Sequence, residues 1–264
     1  MLQSQKVVTH IVDWLSDYTQ KAKTKGFVVG ISGGIDSAVV STLCAKTGYP
    51  VICTELPIHQ HPTQENLAKE HINWLQNQFS NVLSVHINLT EVFDSFVAKA
   101  PVLENKSLVD LSLANTRSRL RMLSLYYLAG INQFLVVGTG NKVEDFGVGF
   151  FTKYGDGGVD LSPIADLMKS EVYALAAYLG VSQSIQNAAP SDGLFSDNRS
   201  DEDQLGATYD ELEWAMKMDA LHKTSDDFTG REKEVFMIYK KLNTGNLHKM
   251  VPIPVCVIPE EYKK

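Results

Sequence analysis

Cysteine is scarce in this chain. Cys44, Cys53 and Cys256 are the only three in 264 residues, and none sits in a CxxC pair. An odd number at such spacing excludes a disulfide framework and a cysteine-ligated zinc or iron–sulfur site, so all three are expected to be buried free thiols. Basic runs are missing as well. The formal charge is −7, from 24 Lys and Arg against 31 Asp and Glu, and no basic block occurs. That excludes the electrostatic footprint of sequence-independent duplex binding. No apolar stretch reaches the ~18 residues that a membrane helix needs, and the opening MLQSQKVVTHIVDWLSDY has no basic flank ahead of an apolar region. These absences predict a cytoplasmic protein that engages neither nucleic acid nor membrane.

What is present is enough apolar material for a core. Val7, Val8, Ile11, Val12, Leu15 and Tyr18 recur at helical spacing, which predicts an amphipathic helix ending before Gly26. An apolar strand over 27–31 then meets Ser32-Gly33-Gly34 and a helix over 36–46. The alternation continues with a strand over 51–56, a helix over 63–79, a strand over 82–87, a long helix over 108–128 and a strand over 134–137. This is the pattern of an α/β fold with a doubly wound parallel sheet. Past residue 140 glycines crowd a stretch that reads as loop, followed by a helix over 169–179 stopped by Gly180. The polar stretch 191–203 is expected to be mobile without ligand, two or three helices are expected over 209–243, and Pro252, Pro254 and Pro259 extend the tail. The whole is expected to be a single domain over 1–264, an α/β core over 1–190 with a helical C-terminal extension over 191–264.

The sharpest chemical feature is Gly30-Ile31-Ser32-Gly33-Gly34-Ile35-Asp36-Ser37, placed where a buried strand hands over to a helix. Glycines admit close backbone approach, successive N–H groups form a nest and the helix N-terminus adds partial positive charge, so the turn suits phosphate. It is not a Walker A loop, which needs a lysine before the hydroxyl residue. A carboxylate stands there instead. Asp36 beside phosphates is repulsive unless a cation intervenes, and this predicts Mg²⁺ between Asp36 and a polyphosphate. His59 and His61, one residue apart with no third ligand, read as loop residues.

The loop SGGIDS resembles the SGGxDS loop of the PP-loop ATP pyrophosphatases, which cleave ATP to AMP and pyrophosphate. Val136-Val137-Gly138-Thr139, Glu144 and then Gly149-Phe150-Phe151-Thr152-Lys153-Tyr154-Gly155-Asp156-Gly157-Gly158-Val159-Asp160 resemble the GFFTKYGDGG block of bacterial NAD synthetases, and the likeness runs over about 7–258. The resemblance implies ATP-dependent amidation of deamido-NAD with ammonia through an adenylate. It implies that Gly30 to Ser37, Thr139, Lys169 and Ser191 contact ATP, with Asp36 and Glu144 as Mg²⁺ ligands. Arg119, Lys153, Asp160, His248 and Lys249 would hold deamido-NAD, Asp156 would serve the ammonia side, and Lys169 would stabilise the departing pyrophosphate. A homodimer is implied, with the dinucleotide near an interface built from the first and the long helix. Glutamine-using relatives carry an extra amidase domain for which this length leaves no room, so free ammonia is the expected nitrogen source.

The sequence departs from the family pattern in places. Ile35 replaces a common glutamine and is expected to point outside the phosphate cradle. Gly140-Asn141 replaces Asp-His, one residue is inserted between Glu144 and Gly149, and Glu55 stands where arginine is common. Competing readings are another PP-loop ligase such as a GMP-synthetase-like amidating enzyme, a tRNA-modifying enzyme, which the charge of −7 and the cysteine positions oppose, and an ATP-binding sensor without turnover.

Overall fold

The computed structural model describes residues 2–101, 104–190 and 200–263. In chain order the elements are α1 (Ser4–Ala22), β1 (Phe27–Gly30), α2 (Ile35–Lys46), β2 (Val51–Glu55), α3 (Pro62–Gln78), β3 (Val82–His86), α4 (Thr90–Val97), α5 (Lys106–Asn132) and β4 (Leu135–Val136). There follow a π-helix (Val143–Val148), α6 (Lys169–Leu179), α7 (Gln183–Gln186), α8 (Asp201–Leu205), α9 (Tyr209–Ala220) and α10 (Gly230–Met250).

The strands form a parallel sheet in the order β3-β2-β1-β4, with Phe27 opposite both Val51 and Leu135. Alternate residues serve opposite faces. Phe27, Val29, Val51 and Cys53 pack on Leu15, Leu43, Leu75 and Leu175 from α1, α2, α3 and α6. Val28, Ile52 and Val136 pack instead on Leu128 and Ala129 of α5. Strands apolar on both faces are what a parallel sheet sandwiched by helices requires, so the doubly wound expectation holds. Sequence order reverses between β1 and β4, and a crevice opens beyond the carboxyl ends of strands at such a switch point. A second core joins Val143 and Val148 of the π-helix to Leu205, Tyr209, Leu212, Val235 and Phe236, docking the C-terminal helices beside that crevice.

Several boundaries differ from the sequence reading. The glycine-rich stretch starts as a π-helix rather than loop. Helix α4 was not expected, and α10 runs on to Met250 instead of ending near 243, its last turns held by Asn246 donating to Val148 O and Lys249 to Phe151 O. The end of the polar stretch is helical, within Asp201–Leu205, held by a Ser200/Asp203 capping box. Cys44 and Cys53 are buried, but Cys256 is exposed, as are all described residues of the proline-containing tail over 251–263. Ser191 and the rest of 191–199 lie outside the described residues.

Candidate active site

The segment Gly30 to Ser37 lines a cavity of about 640 Å³. Gly33 has φ +85°, and a β-carbon there would lie 2.7 Å from the Gln64 carbonyl of α3, so only glycine lets the turn pass this helix. Ser37 Oγ donates to Gly34 O at 2.9 Å, and Gly34 N donates to Ser32 Oγ at 3.2 Å, which closes the turn on itself. The first-turn N–H groups of α2 have no intrahelical acceptor and are the natural anion ligands of the cavity. Ile35 is buried and belongs to the core cluster beneath the loop, while the residue also borders the cavity.

Lys169, the first residue of α6, is buried and donates to Asp36 Oδ2 at 2.6 Å and Glu144 Oε1 at 2.9 Å. Tyr209 OH donates to the same Glu144 oxygen at 2.6 Å, and Asn141 Nδ2 donates to Asp36 Oδ1 at 3.1 Å. One ammonium shared by two carboxylates leaves the cluster one negative charge in excess. Burial pushes Asp36 up despite the opposing pull of Lys169. At Glu144 burial also acts upward, but Lys169, Tyr209 and Asn141 together hold the carboxyl below its ordinary range. Burial alone would lower Lys169; the two carboxylates more than offset it and hold the amine protonated.

The glycine-rich segment forms another part of the cavity wall. Asp156 Oδ1 accepts from Ser118 Oγ at 2.6 Å and Thr152 N at 3.0 Å, and the residue keeps an open face to the cavity. The protein packed around its carboxyl raises the pKa, against these hydrogen bonds. Asp145 also lines the wall, and burial followed by the charges of Glu144, Asp156 and Asp36 pushes its carboxyl up to about 8. A β-carbon on Gly140 would lie 2.2 Å from both Asp145 oxygens, so glycine at 140 makes room for this carboxyl.

A glycine turn suited to an anion, a buried ammonium, the two carboxylates it joins and two further carboxylates thus line one cavity. Residues 7–252 match the family described as NAD synthase. The chain belongs to the NAD synthase family. Its relatives include the NH(3)-dependent NAD(+) synthetase of Alkaliphilus metalliredigens, 43% identical over 217 residues that cover 78% of this chain and 83% of the relative. That of Syntrophomonas wolfei is 36% identical over 269 residues, covering 99% of this chain and 100% of its own. The fold is similar to the solved structure of NMN synthetase from Francisella tularensis, with TM-score 0.82 and 30% identity over 98% of this chain and 99% of that one. It also matches the NH3-dependent NAD synthetase of Campylobacter jejuni at TM-score 0.77, 24% identity, 97% of this chain and 100% of that one, a likeness of fold alone.

Set against the NAD synthase pattern, the departures have structural answers. Asn141, fully buried, accepts from Val143 N and Glu144 N at 3.1 and 3.2 Å, starting the π-helix while its amide holds Asp36. Glu55 ends β2 at the cavity wall with Oε1 3.7 Å from His86 Nδ1, while its buried Oε2 has no hydrogen-bond partner among the described residues. His61 caps α3 and His59 pairs with Asp94 at 2.7 Å, so each has an ordinary loop role. Thr139 and His248 line the cavity. Lys249 also lines it, donating to the Phe151 carbonyl at 2.8 Å and to the Gly149 carbonyl, and burial lowers its pKa. Arg119 donates to Lys153 O at 3.3 Å and Lys153 Nζ to His248 O at 2.8 Å, so these three gather on one exposed rim outside or at the edge of the cavity. Asp160 stands apart, accepting from Val136 N at 2.8 Å and Tyr126 OH at 3.0 Å. Tyr209, Asn141, Ser118 and Glu213 are the site residues that sequence reasoning passed over; the one usable signal was Asn141 ahead of an acidic first turn, an N-cap pattern.

Proposed function

We propose that this NAD synthase family member joins ammonia to the nicotinate carboxylate of deamido-NAD with consumption of ATP, releasing AMP and pyrophosphate. The observation that carries this reading is that one cavity links the Gly30 to Ser37 loop, Lys169 and Asp156. An adenylate formed at the loop would therefore meet its nucleophile without leaving the protein. A carboxylate oxygen is a poor leaving group, which is why the reaction takes two steps. A nicotinate oxygen first attacks the α-phosphorus of ATP and the bond to pyrophosphate breaks, with the loop N–H groups and Lys169 stabilising the departing charge. The ammonia nitrogen then attacks the acyl carbon, the bond to AMP breaks, and Asp156 accepts the released proton.

Asp36 and Glu144 suit Mg²⁺, because two hard carboxylate oxygens already converge on one cation, the Lys169 ammonium, at 2.6 and 2.9 Å. Among the described residues no group of three or more acidic, His or Cys side chains could hold a metal, so phosphate oxygens and water would complete the ligand set. Bound there, Mg²⁺ supplies charge neutralisation at the phosphates. Thr139 and Ser191 complete the ATP contacts in this reading, while Arg119, Lys153, Asp160, His248 and Lys249 receive the dinucleotide. We place the protein in the cytoplasm with its nucleotide substrates; among the described residues no helix is long and apolar enough to cross a membrane. We read it as a homodimer, since Leu123, Tyr127 and Ile131 of α5 and Trp14 and Tyr18 of α1 leave apolar surface exposed.

A second reading, amidation of the corresponding mononucleotide, is favoured by the match to the NMN synthetase structure over nearly the whole chain. One assay separates the two. Deamido-NAD and deamido-NMN are each supplied with Mg-ATP and ammonium chloride, with glutamine in a control, and amide product, AMP and pyrophosphate are followed together. Equal NAD and AMP from ammonium but not glutamine is the expected result; preference for the mononucleotide moves the assignment to the second reading.

A further inference from the structure

Tyr209 opens α9 and is buried, 5% exposed, within the second core. Phenylalanine would fill that space without taking a hydroxyl out of water, so the hydroxyl has to be used to be tolerated. It donates to Glu144 Oε1 at 2.6 Å, the oxygen that also receives Lys169, and the Lys169 ammonium lies 4.7 Å from the centre of the phenol ring. Asp201 Oδ2, at 3.4 Å, is too distant to compete for the same proton. One turn further along the same face of α9, buried Glu213 accepts from Ser170 N and Ser170 Oγ, both at 2.8 Å. Helix α9 therefore grips the start of α6 at two adjacent points, one on the Lys169 side chain and one on the backbone that follows it.

We infer that Tyr209 is a positioning residue for the phosphate end of the cavity. Its hydroxyl fixes the Glu144 carboxylate and its ring steadies the Lys169 ammonium, so both groups present one orientation to the nucleotide and its cation. The inference rests on the Mg-ATP reading above. Tyr209→Phe keeps the packing and the ring while removing only the hydroxyl. Half-saturating Mg²⁺ should rise and kcat should fall, each roughly tenfold, the usual effect of losing a group that orients a metal ligand. The half-saturating concentrations of ammonium and deamido-NAD should stay unchanged.

A second readout avoids turnover. Mn²⁺ titrated with α,β-methylene-ATP and followed by electron paramagnetic resonance should bind roughly tenfold more weakly to Tyr209→Phe. Tyr209→Leu, which also removes the ring, should weaken the analogue itself. Wild-type Mn²⁺ affinity and Mg²⁺ requirement in Tyr209→Phe would overturn the inference, as would a uniform loss of active protein at unaltered Mg²⁺ half-saturation. Weakened Mn²⁺ binding in a protein whose wild type makes no NAD would uphold the positioning role and overturn the substrate assignment instead.

Discussion

At the phosphate-loop end of the cavity Asp36 and Glu144 share the Lys169 ammonium, with Asn141 and Tyr209 filling further acceptor positions. At the glycine-rich end Asp156 has only neutral donors, and among the described residues no donor lies within hydrogen-bond distance of the Asp145 carboxyl. Carboxylates lining one cavity are thus treated in opposite ways. The first pair carries its own counter-ion, recruited from a residue 133 positions along the chain from Asp36. Among the described residues the second pair makes no ion pair, the Lys249 ammonium being near enough only to feel the Asp156 charge, and both carboxyls are pushed up: a desolvated carboxyl without an ion-pair partner holds its proton or takes a cation from outside. In the proposed reaction ammonium is that cation.

The sharpest way to break this contrast is to remove the internal counter-ion. Lys169→Met leaves two enclosed carboxylates facing each other without compensation, which should lower stability by about 3–5 kcal/mol and abolish measurable AMP release. A thermal midpoint within 2 °C of wild type, by about the scale on which 1 kcal/mol shifts a chain of this size, would show that Lys169 does not neutralise the pair. Asp156→Asn acts at the other end. Its kcat/KM for ammonium should drop on the order of 10²-fold, as for loss of a general base, with half-saturating ATP little changed. Equal effects on both substrates would dissolve the distinction between the ends.

Asp145→Asn should do the reverse of Lys169→Met to the fold. The carboxyl, ordinarily near 3.8, is pushed up to about 8 in the folded protein. The folded state therefore holds the proton that the unfolded chain has released, and stability falls as pH rises between those values. Removing the charge should stabilise the protein by roughly 1–3 kcal/mol at pH 8 and erase that slope, while raising the ammonium requirement only severalfold. Unfolding midpoints at pH 6 and 8 test both signs, and a variant less stable than wild type at pH 8 would contradict the unpartnered state of Asp145.

What could be read from the sequence follows from how local each signal is. The strand, glycine turn and helix around Asp36 are consecutive, so their chemistry was visible in eight residues. Tyr209 and Glu144 meet across 65 positions and Asn141 and Asp36 across 105, and neither pairing leaves a mark in spacing. The π-helix escaped notice because its wider turn matches neither the helical nor the strand period. Cys256 was misjudged because burial of cysteine is a tendency of cores, and the described residues of the tail carrying it are all exposed.

The smallest predicted effect supplies the baseline against which the two ends are compared. His71 of α3 lies away from the cavity wall, 1% exposed, with Nε2 2.9 Å from Ser41 Oγ and its ring stacked 5.6 Å from Trp74. Burial lowers its pKa from the ordinary 6.5 to about 4. Between those values the unfolded chain binds a proton that the folded protein does not, so stability is full above pH 6.5 and is lost on acidification. From pH 7 to 5.5 the loss should be about 1 kcal/mol, a midpoint shift of about 2–4 °C. His71→Gln should flatten this acid limb while leaving ammonium and ATP requirements unchanged. A slope that survives the substitution would show that a group other than His71 carries it; the cavity carboxylates do not, since raised carboxyls gain stability on acidification and Glu144 loses it only below its ordinary value near 4.5.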